Sequence, residues 1–474
     1  MTIHQTYMTL DPSFYSVVDR VPYTNITTHR WNQALAEELN LSSLREDPLG
    51  MAFLQGTSST HPYFAQAYAG NQYGHFTMLG DGRAMIIGEL EHNDALWDLQ
   101  LKGSGPTPYS RRGDGKATTQ SMLREYLISE AMHRLGVPST RSLAVFDTHQ
   151  MVQRDQMHHG AMLLRVASCH LRVGTFEYAR SLDDIEKLRS LADYAITRHV
   201  PSMAQSKNRY LSFFEHVVEK QAKLIAKWQS LGFVHGVMNT DNMAISGETI
   251  DYGPCAFLDH YDPSISFSSI DVNARYAYFR QPYIASWNLS RLAMALLPLI
   301  EETDDQAIGT LNQALSRFEA YYNQAYRLYF GSKLGLFAPT KSDDSLIAEL
   351  LELMRRHQAD FTNTFVLLTR RSEESIGIPM IEWTLWKDKW IKRIHSQGKL
   401  DEAFALMKQH NPVVIPRNHL VKEAVDTADF QQDSTLFDAL MTVLQHPYDY
   451  DAKIEDRFLQ PDASTKRFVS YCGT

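Results

Sequence analysis

A change of periodicity partway along the chain restricts its fold more than any other feature. Between about Pro62 and Arg165, short apolar runs alternate with glycine-containing turns. Arg83-Ala-Met-Ile-Ile-Gly-Glu89 reads as a strand following a Gly-rich turn, and Leu96-Trp-Asp-Leu-Gln-Leu-Lys102 alternates apolar and polar residues as a second strand would. Ser142 to Phe146 and Ala161 to Val166 are two further strand candidates. A single helix is expected among them, around Ser121 to Leu135. Leu123, Leu127, Ala131 and Leu135 share one of its faces, and Gly136-Val-Pro138 is its stop. After about residue 175 the pattern is mostly helical. Phe214, Val217, Val218, Gln221, Ile225 and Trp228 mark an amphipathic helix that ends at Leu231-Gly232 and feeds a polar loop. From Trp287 onward there are long helical periodicities and few strand signals. The expected class is α+β, a small β-rich lobe with one key helix followed by a large, mostly helical lobe. The expected divisions are an N-terminal extension over 1–60, the β-rich lobe over 61–168, and the helical lobe with its C-terminal tail over 169–474.

At 474 residues the chain is longer than one average domain, which agrees with two lobes. Hydrophobic residues at 44% and charged residues at 21% are ordinary globular usage. A net charge of −9 gives no global attraction to nucleic acid or anionic membrane, so neither is an expected partner. A local basic pocket for a phosphate ligand remains compatible with it. Three cysteines, Cys169, Cys255 and Cys472, form no disulfide framework and no Cys-x-x-Cys pair. The first residues lack a basic segment leading into an apolar one, and the apolar run Leu292 to Ile300 is interrupted by Pro298 and too short to span a bilayer. A cytoplasmic, soluble protein is the expectation.

The most informative string is His235-Gly-Val-Met-Asn-Thr-Asp-Asn242, followed by Thr249-Ile-Asp251-Tyr-Gly253. Protein kinases carry H-R-D-x-x-x-x-N in a loop and then D-F-G. The frame agrees, with Asn242 and Asp251 falling on the two metal-binding positions. Their hard oxygens suit Mg²⁺, which bridges phosphates. Other kinase parts lie upstream in the right order. Gly80-Asp-Gly82-Arg83 can form a turn over phosphates, Lys102 ends the next strand, and Glu125 lies on the following helix, where kinases carry the Glu that pairs with that Lys. Each part alone is weak; five in order are not. One is missing, because the kinase Asp that accepts the substrate proton would fall at Val237, and valine takes no proton.

The sequence closely resembles SelO, called YdiU in bacteria, a pseudokinase family of protein adenylyltransferases. The resemblance covers nearly the whole chain. It is carried by Leu79-Gly-Asp-Gly-Arg83, Leu101-Lys-Gly103, Thr107-Pro-Tyr-Ser110 with Gly113-Asp-Gly115, Leu123-Arg-Glu125 and the two loops above. It implies a protein-kinase-like fold with ATP bound in a flipped orientation, so that AMP passes to Ser, Thr or Tyr hydroxyls of proteins and pyrophosphate leaves. By the same resemblance, Gly80, Gly82 and Arg83 line the nucleotide, Lys102 holds phosphate with Glu125 orienting it, and Asp114 and Gly115 touch the nucleotide. Arg165 and Arg172 receive the buried triphosphate end, Asn242 and Asp251 bind Mg²⁺ or Mn²⁺, and Asp241 is the proton acceptor. Two Arg forks do match phosphate oxygens, and cations stabilise a pyrophosphate leaving group. Cys472 stands where the family commonly carries a redox residue. The partner cysteine expected in the segment after the Asp-Tyr-Gly motif is absent from Ser264 to Asp271, which leaves only Cys255.

Plainer readings stand beside these. Arg165 and Arg172 read without the motifs are surface arginines. Asp241 is either the base or the cap of a helix beginning near Asn242. His235 reads as a structural loop residue, Glu130 as a solvated helix residue, Cys169 as a small buried apolar residue, and Cys255 as buried beside the metal loop with Cys472 an idle tail thiol, rather than the two as a regulatory pair. Three functions remain open: a metal-dependent nucleotidyltransferase using ATP, with UTP as a variant donor; a catalytically silent nucleotide-binding pseudokinase scaffold or sensor; and a conventional kinase with a displaced base.

Overall fold

The computed structural model describes residues 2–19, 23, 25–58, 61–300, 303–464 and 468–470. Among the described residues twelve strands run in chain order: β1 Ile3–His4, β2 Tyr15–Val18, β3 Thr27–Trp31, β4 Tyr63–Gln72, β5 His75–Gly80, β6 Ala84–His92, β7 Ala95–Lys102, β8 Ala117–Thr118, β9 Arg141–Gln153, β10 Met157–Ala167, β11 Phe233–Val234 and β12 Ala256–Phe257. The first ten form one antiparallel sheet of order β2-β4-β6-β7-β10-β9-β3, with β5 on β4, β1 on β6 and β8 on β10. All four strands expected from the sequence are present, β9 and β10 being longer than their apolar centres. Residues before Tyr63, which read as an extension, contribute β1, β2 and β3 to this same sheet. The long strand β4 is new; its near-continuous burial hides the alternation by which a strand is recognised.

The main helices are α1 Gln33–Glu38, α2 Pro48–Leu54, α3 Thr119–Arg134, α4 Val173–Ser181, α5 Ile185–His199, α6 Arg209–Leu231, α7 Gln281–Leu296, α8 Asp304–Lys333, α9 Asp344–Arg356, α10 Phe361–Thr369, α11 Met380–His395, α12 Leu400–His410, α13 Asn418–Phe430 and α14 Thr435–Leu444. The structure is thus mixed α and β, with the antiparallel sheet in its N-terminal part. Thr118 caps α3 by accepting from the Ser121 amide, so the helix begins at Thr119, two residues before the expected start. α6 stops at Gly232, whose φ of 70° only glycine adopts cheaply. Among the described residues no helix is long and apolar enough to cross a membrane.

One apolar core joins one sheet face to α3 through α7, a second fills the opposite face beneath α1 and α2, and a third holds α8 through α12 together. Glu130 does not sit in solvent as expected. It is 5% exposed, and Arg141 grips it through Nε at 2.9 Å and Nη2 at 2.8 Å. Arg141 opens β9, a few residues past the end of α3, so the pair ties helix to strand across a turn.

A second buried ion group fixes α5 to the sheet. Asp98 on β7 is 3% exposed and takes Arg198 Nη2 at 2.7 Å and His170 Nδ1 at 3.0 Å. Burial pushes the Asp98 carboxyl up, but Arg198 and His170 outweigh it and hold its pKa at about 2. Asp98→Asn is expected to cost about 3 kcal/mol at pH 7, because it leaves Arg198 buried without its carboxylate. A depressed pKa stabilises above the unfolded value of about 4, and the contribution is lost as pH falls through about 2. The deficit of the variant should therefore shrink by about half between pH 7 and pH 3. Urea unfolding of both proteins at the two pH values checks this; an equal deficit would contradict it.

Candidate active site

The register of the sheet lines up the first functional side chains. In the β7–β10 ladder Leu163 faces Lys102 and Arg165 faces Gln100. Side chains alternate along a strand, so Gln100, Lys102 and Arg165 share one face, while Leu99, Leu101, Leu164 and Val166 point into the opposite core. α3 lies over the polar face and brings Glu125 to it. Lys102 Nζ donates to Glu125 Oε2 at 2.8 Å and to Asp251 Oδ1 at 2.5 Å. Arg165 donates through Nη2 to Glu125 Oε1 and, at 2.7 Å, to Asp251 Oδ1; its Nη1 reaches Gln100 Oε1 at 3.1 Å. Arg172, just before α4, reaches Asp251 Oδ2 at 3.2 Å and the Asp241 carbonyl at 2.9 Å, with its guanidinium over the Tyr68 ring. Arg165 is 1% exposed and Arg172 4%, which rules out the surface reading of both.

These charges set one another's titration. Burial pushes Asp251 up, but Arg165, Lys102 and Arg172 outweigh it and hold the carboxyl well below the usual range. Glu125 is lowered in the same way, burial being outweighed by Arg165 and Lys102. Asp241 differs. Burial raises it to about 6 against the pull of Arg172, and its Oδ1 has no hydrogen-bond partner among the described residues. The segment around it, Thr240–Asn242, is a single 3-10 turn and not the start of a helix, so the capping role is removed.

The glycine turn closes the site on the sheet side. Gly80 and Gly82 connect β5 to β6, and a Cβ on Gly80 would enter the Tyr109 ring. The Thr107-Pro-Tyr-Ser110 segment fastens this turn: Thr107 Oγ1 donates to the Asp81 carbonyl at 2.6 Å and Ser110 Oγ to the Gly82 carbonyl. The catalytic-type loop is braced from both sides. His235 Nε2 bonds the Ile250 carbonyl at 2.9 Å and its ring stacks on Trp228, which is the structural role expected of it. Asn242 Nδ2 donates to the Val237 carbonyl at 3.1 Å, which turns its amide oxygen the other way. Together these elements enclose a cavity of about 610 Å³, lined by Gly80, Gly82, Arg83, Lys102, Glu125, Arg165, Arg172, Val237, Asp241, Asn242 and Asp251.

Asp114 and Gly115 are not brought to this cavity. Asp114 pairs with Arg154 at 3.0 Å near the surface, and Gly115, at φ 66°, packs against the Gly105 backbone. Four residues that sequence reasoning passed over do belong here. Gln100 holds Arg165, and Asp81, 3% exposed, stands 3.7 Å from Arg172. Thr240 Oγ1 accepts from the Asn71 amide at 2.7 Å and Asn239 Oδ1 from the Tyr73 amide at 3.1 Å, so β4 grips the loop directly. Asp81 lies between the two glycines and was visible as a spacer; the β4 contacts had no local signal.

The model of the family described as protein adenylyltransferase SelO matches residues 1–445. The chain belongs to the SelO family of protein adenylyltransferases. It is 48% identical to a protein nucleotidyltransferase YdiU of Brevibacillus brevis over 99% of this chain and 97% of that one. It is 47% identical to a YdiU of Clostridium perfringens over 100% and 97% of the two chains, and 46% identical to one of Bacillus cereus over 100% and 98%. The family is one of enzymes, and of the motif residues that carried the resemblance, Gly80, Gly82, Arg83, Lys102, Glu125, Asn242 and Asp251 meet around one cavity.

The cysteines expected from a SelO chain are divided. Cys472 lies outside the described residues. Cys255 is fully buried, its carbonyl taking Arg124 Nη2 at 2.5 Å, and burial pushes its thiol up. Cys169 is buried as expected, beside His199 Nε2 at 2.8 Å. A buried thiol held protonated is a poor nucleophile. Native protein treated with iodoacetamide at pH 7.5 should therefore leave Cys255 and Cys169 unmodified, and urea should expose both. Modification of Cys255 in the folded protein, read by peptide mass, would contradict its burial.

Proposed function

We propose that this enzyme transfers AMP from ATP to Ser, Thr or Tyr hydroxyls of proteins and releases pyrophosphate, on a two-lobed protein-kinase-like scaffold. The observation that carries the reading is the burial of Arg165 and Arg172 beside Lys102 at the inner end of the cavity. Three cations there favour the most highly charged part of ATP, the β- and γ-phosphates, pointing inward. The α-phosphate then faces the mouth, where an acceptor hydroxyl can reach it. Val237, at the kinase base position, offers no proton acceptor, in keeping with chemistry other than γ-phosphoryl transfer.

In this reading the acceptor oxygen attacks the α-phosphorus, the bond from the α-phosphorus to the bridging oxygen breaks, and that oxygen leaves with pyrophosphate. The acceptor proton passes to the carboxylate of Asp241, which lines the cavity and whose raised pKa equips it to accept a proton near neutrality. Lys102, Arg165 and Arg172 stabilise the charge that grows on the leaving group. Asn242 and Asp251 would hold a divalent cation, Mg²⁺ or Mn²⁺. Two hard oxygens from the protein fit such an ion, which takes its remaining ligands from phosphate and water. When bound, it supplies further neutralisation of the triphosphate. The named contacts go to phosphates and not to the base, so UTP is a second candidate donor. The cytoplasm, a reducing compartment, suits the free thiols of Cys169 and Cys255.

The decisive measurement uses ATP labelled at the α- or the γ-phosphate, with dephosphorylated casein as a hydroxyl-rich acceptor. Label from the α-position alone, on casein or on the chain itself, is expected. Label from the γ-position alone would mean a kinase, and none from either a silent nucleotide binder. Asp251→Ala should reduce transfer by about a hundredfold or more, with the fold retained by circular dichroism. Val237→Asp should not produce γ-transfer, because the cations that orient the triphosphate are untouched; strong γ-labelling by that variant would overturn the flipped orientation.

A further inference from the structure

The mouth of the cavity is partly built by the far end of the chain. Phe468, Val469 and Ser470 line it together with Ile270. Ser470 pairs in parallel with Ser268: its amide donates to the Phe267 carbonyl at 2.8 Å, and its carbonyl accepts from the Ser269 amide at 3.0 Å. The Phe468 ring packs on Phe267 at 6.2 Å between centroids. The turn that follows the receiving segment is held by its own side-chain bonds and not by the tail. Asp271, 7% exposed, accepts from Ser266 Oγ at 2.8 Å, the Arg275 amide at 2.8 Å and the Tyr276 amide at 2.9 Å. Around that fixed turn the aliphatic side chains point outward, Ile270 being 55% and Val272 86% exposed.

A segment that already bridges to an extended stretch of chain beside the cavity, flanked by exposed aliphatics, is a site for an extended polypeptide. We propose that the acceptor segment of the protein substrate docks as a strand along Phe267–Ser269, in the position that Phe468–Ser470 occupies, with its aliphatic side chains against Ile270 and Val272. This rests on the AMP-transfer reading. The tail is then a competitor that must leave before the acceptor hydroxyl enters. Among the described residues the tail is held by two backbone hydrogen bonds, the Phe468–Phe267 ring pair and the packing of Phe468 on the apolar core of the helical part. The hydrogen bonds read backbone, so the site tolerates acceptors that differ in sequence around the hydroxyl as long as they place aliphatic side chains against Ile270 and Val272.

The test compares the full-length parent with Phe468→Asp, which detaches the tail, and Val272→Asp, which puts a charge on the aliphatic flank. Casein and α-labelled ATP are the substrates. Freeing the edge raises the fraction of enzyme competent to bind acceptor, so Phe468→Asp should lower the KM for casein by about fivefold, and Val272→Asp should raise it by a similar factor. A casein KM that does not fall in folded Phe468→Asp overturns the proposal. Hydrogen exchange on the unaltered chain gives an independent reading. Saturating casein with a non-hydrolysable ATP analogue should deprotect the Ser470 amide while Ser269 stays protected. Continued protection of Ser470 under those conditions overturns strand exchange. Parent enzyme that transfers no α-label overturns the AMP-transfer reading and this inference with it; parent that transfers while tail and flank variants behave alike overturns this inference alone.

Discussion

Everything at this site depends on a buried cluster of opposite charges. Lys102, Arg165 and Arg172 meet Glu125 and Asp251, with Asp81 nearby, in a region where side-chain exposure does not exceed about a fifth. A buried charge without a partner costs several kcal/mol, so no member of such a group is independent of the others. The cluster therefore dictates architecture. Lys102 and Arg165 come from neighbouring strands, Glu125 from the helix laid across them, Arg172 from the turn into α4, and Asp251 from a loop in the helical part. Five separate chain segments must converge before the charges balance, which couples formation of the site to formation of the fold.

The cluster also explains why Asp251 adopts an unusual backbone. Its φ of 63° lies in the left-handed region, uncommon for a non-glycine residue. That turn points both carboxylate oxygens at cations from the sheet side, with Gly253 closing it by donating to the Asp251 carbonyl at 2.8 Å. Local strain at a functional residue persists where surrounding contacts over-determine it, and here three cations do so.

Residues whose role is set by local spacing were legible in the sequence. The glycine turn, the Lys at a strand end, the Glu on the next helix and the Asn and Asp of the two loops all fell on the elements expected for them. The same is true of α3 and α6, whose apolar stripes and glycine stops are local signals. What escaped was set by long-range packing. β4 shows no alternation because both its faces are covered, and β1 to β3 are short strands that find partners far along the chain. Glu130 was misread for the same reason: helical periodicity gave no sign that Arg141, beyond the helix end, would fold back and bury it.

β4 also separates what the motifs specify from what the fold adds. The loop from His235 to Asn242 carries recognisable chemistry, yet its position over the cavity comes from a strand without any motif. The Asn71 and Tyr73 amides donate to Thr240 and Asn239, and Asn71 Nδ2 continues to Glu177, which Arg291 on α7 holds at 3.0 Å. Gly70 lies so near Asp241 that a Cβ there would collide with its carboxylate. The missing side chain lets β4 backbone lie against the carboxylate and exclude water from it, and that desolvation is the largest cause of the raised Asp241 pKa. Part of the dry environment of Asp241 is thus made by a glycine some 170 residues away in the chain, a relation visible only once the strand and the loop are packed together.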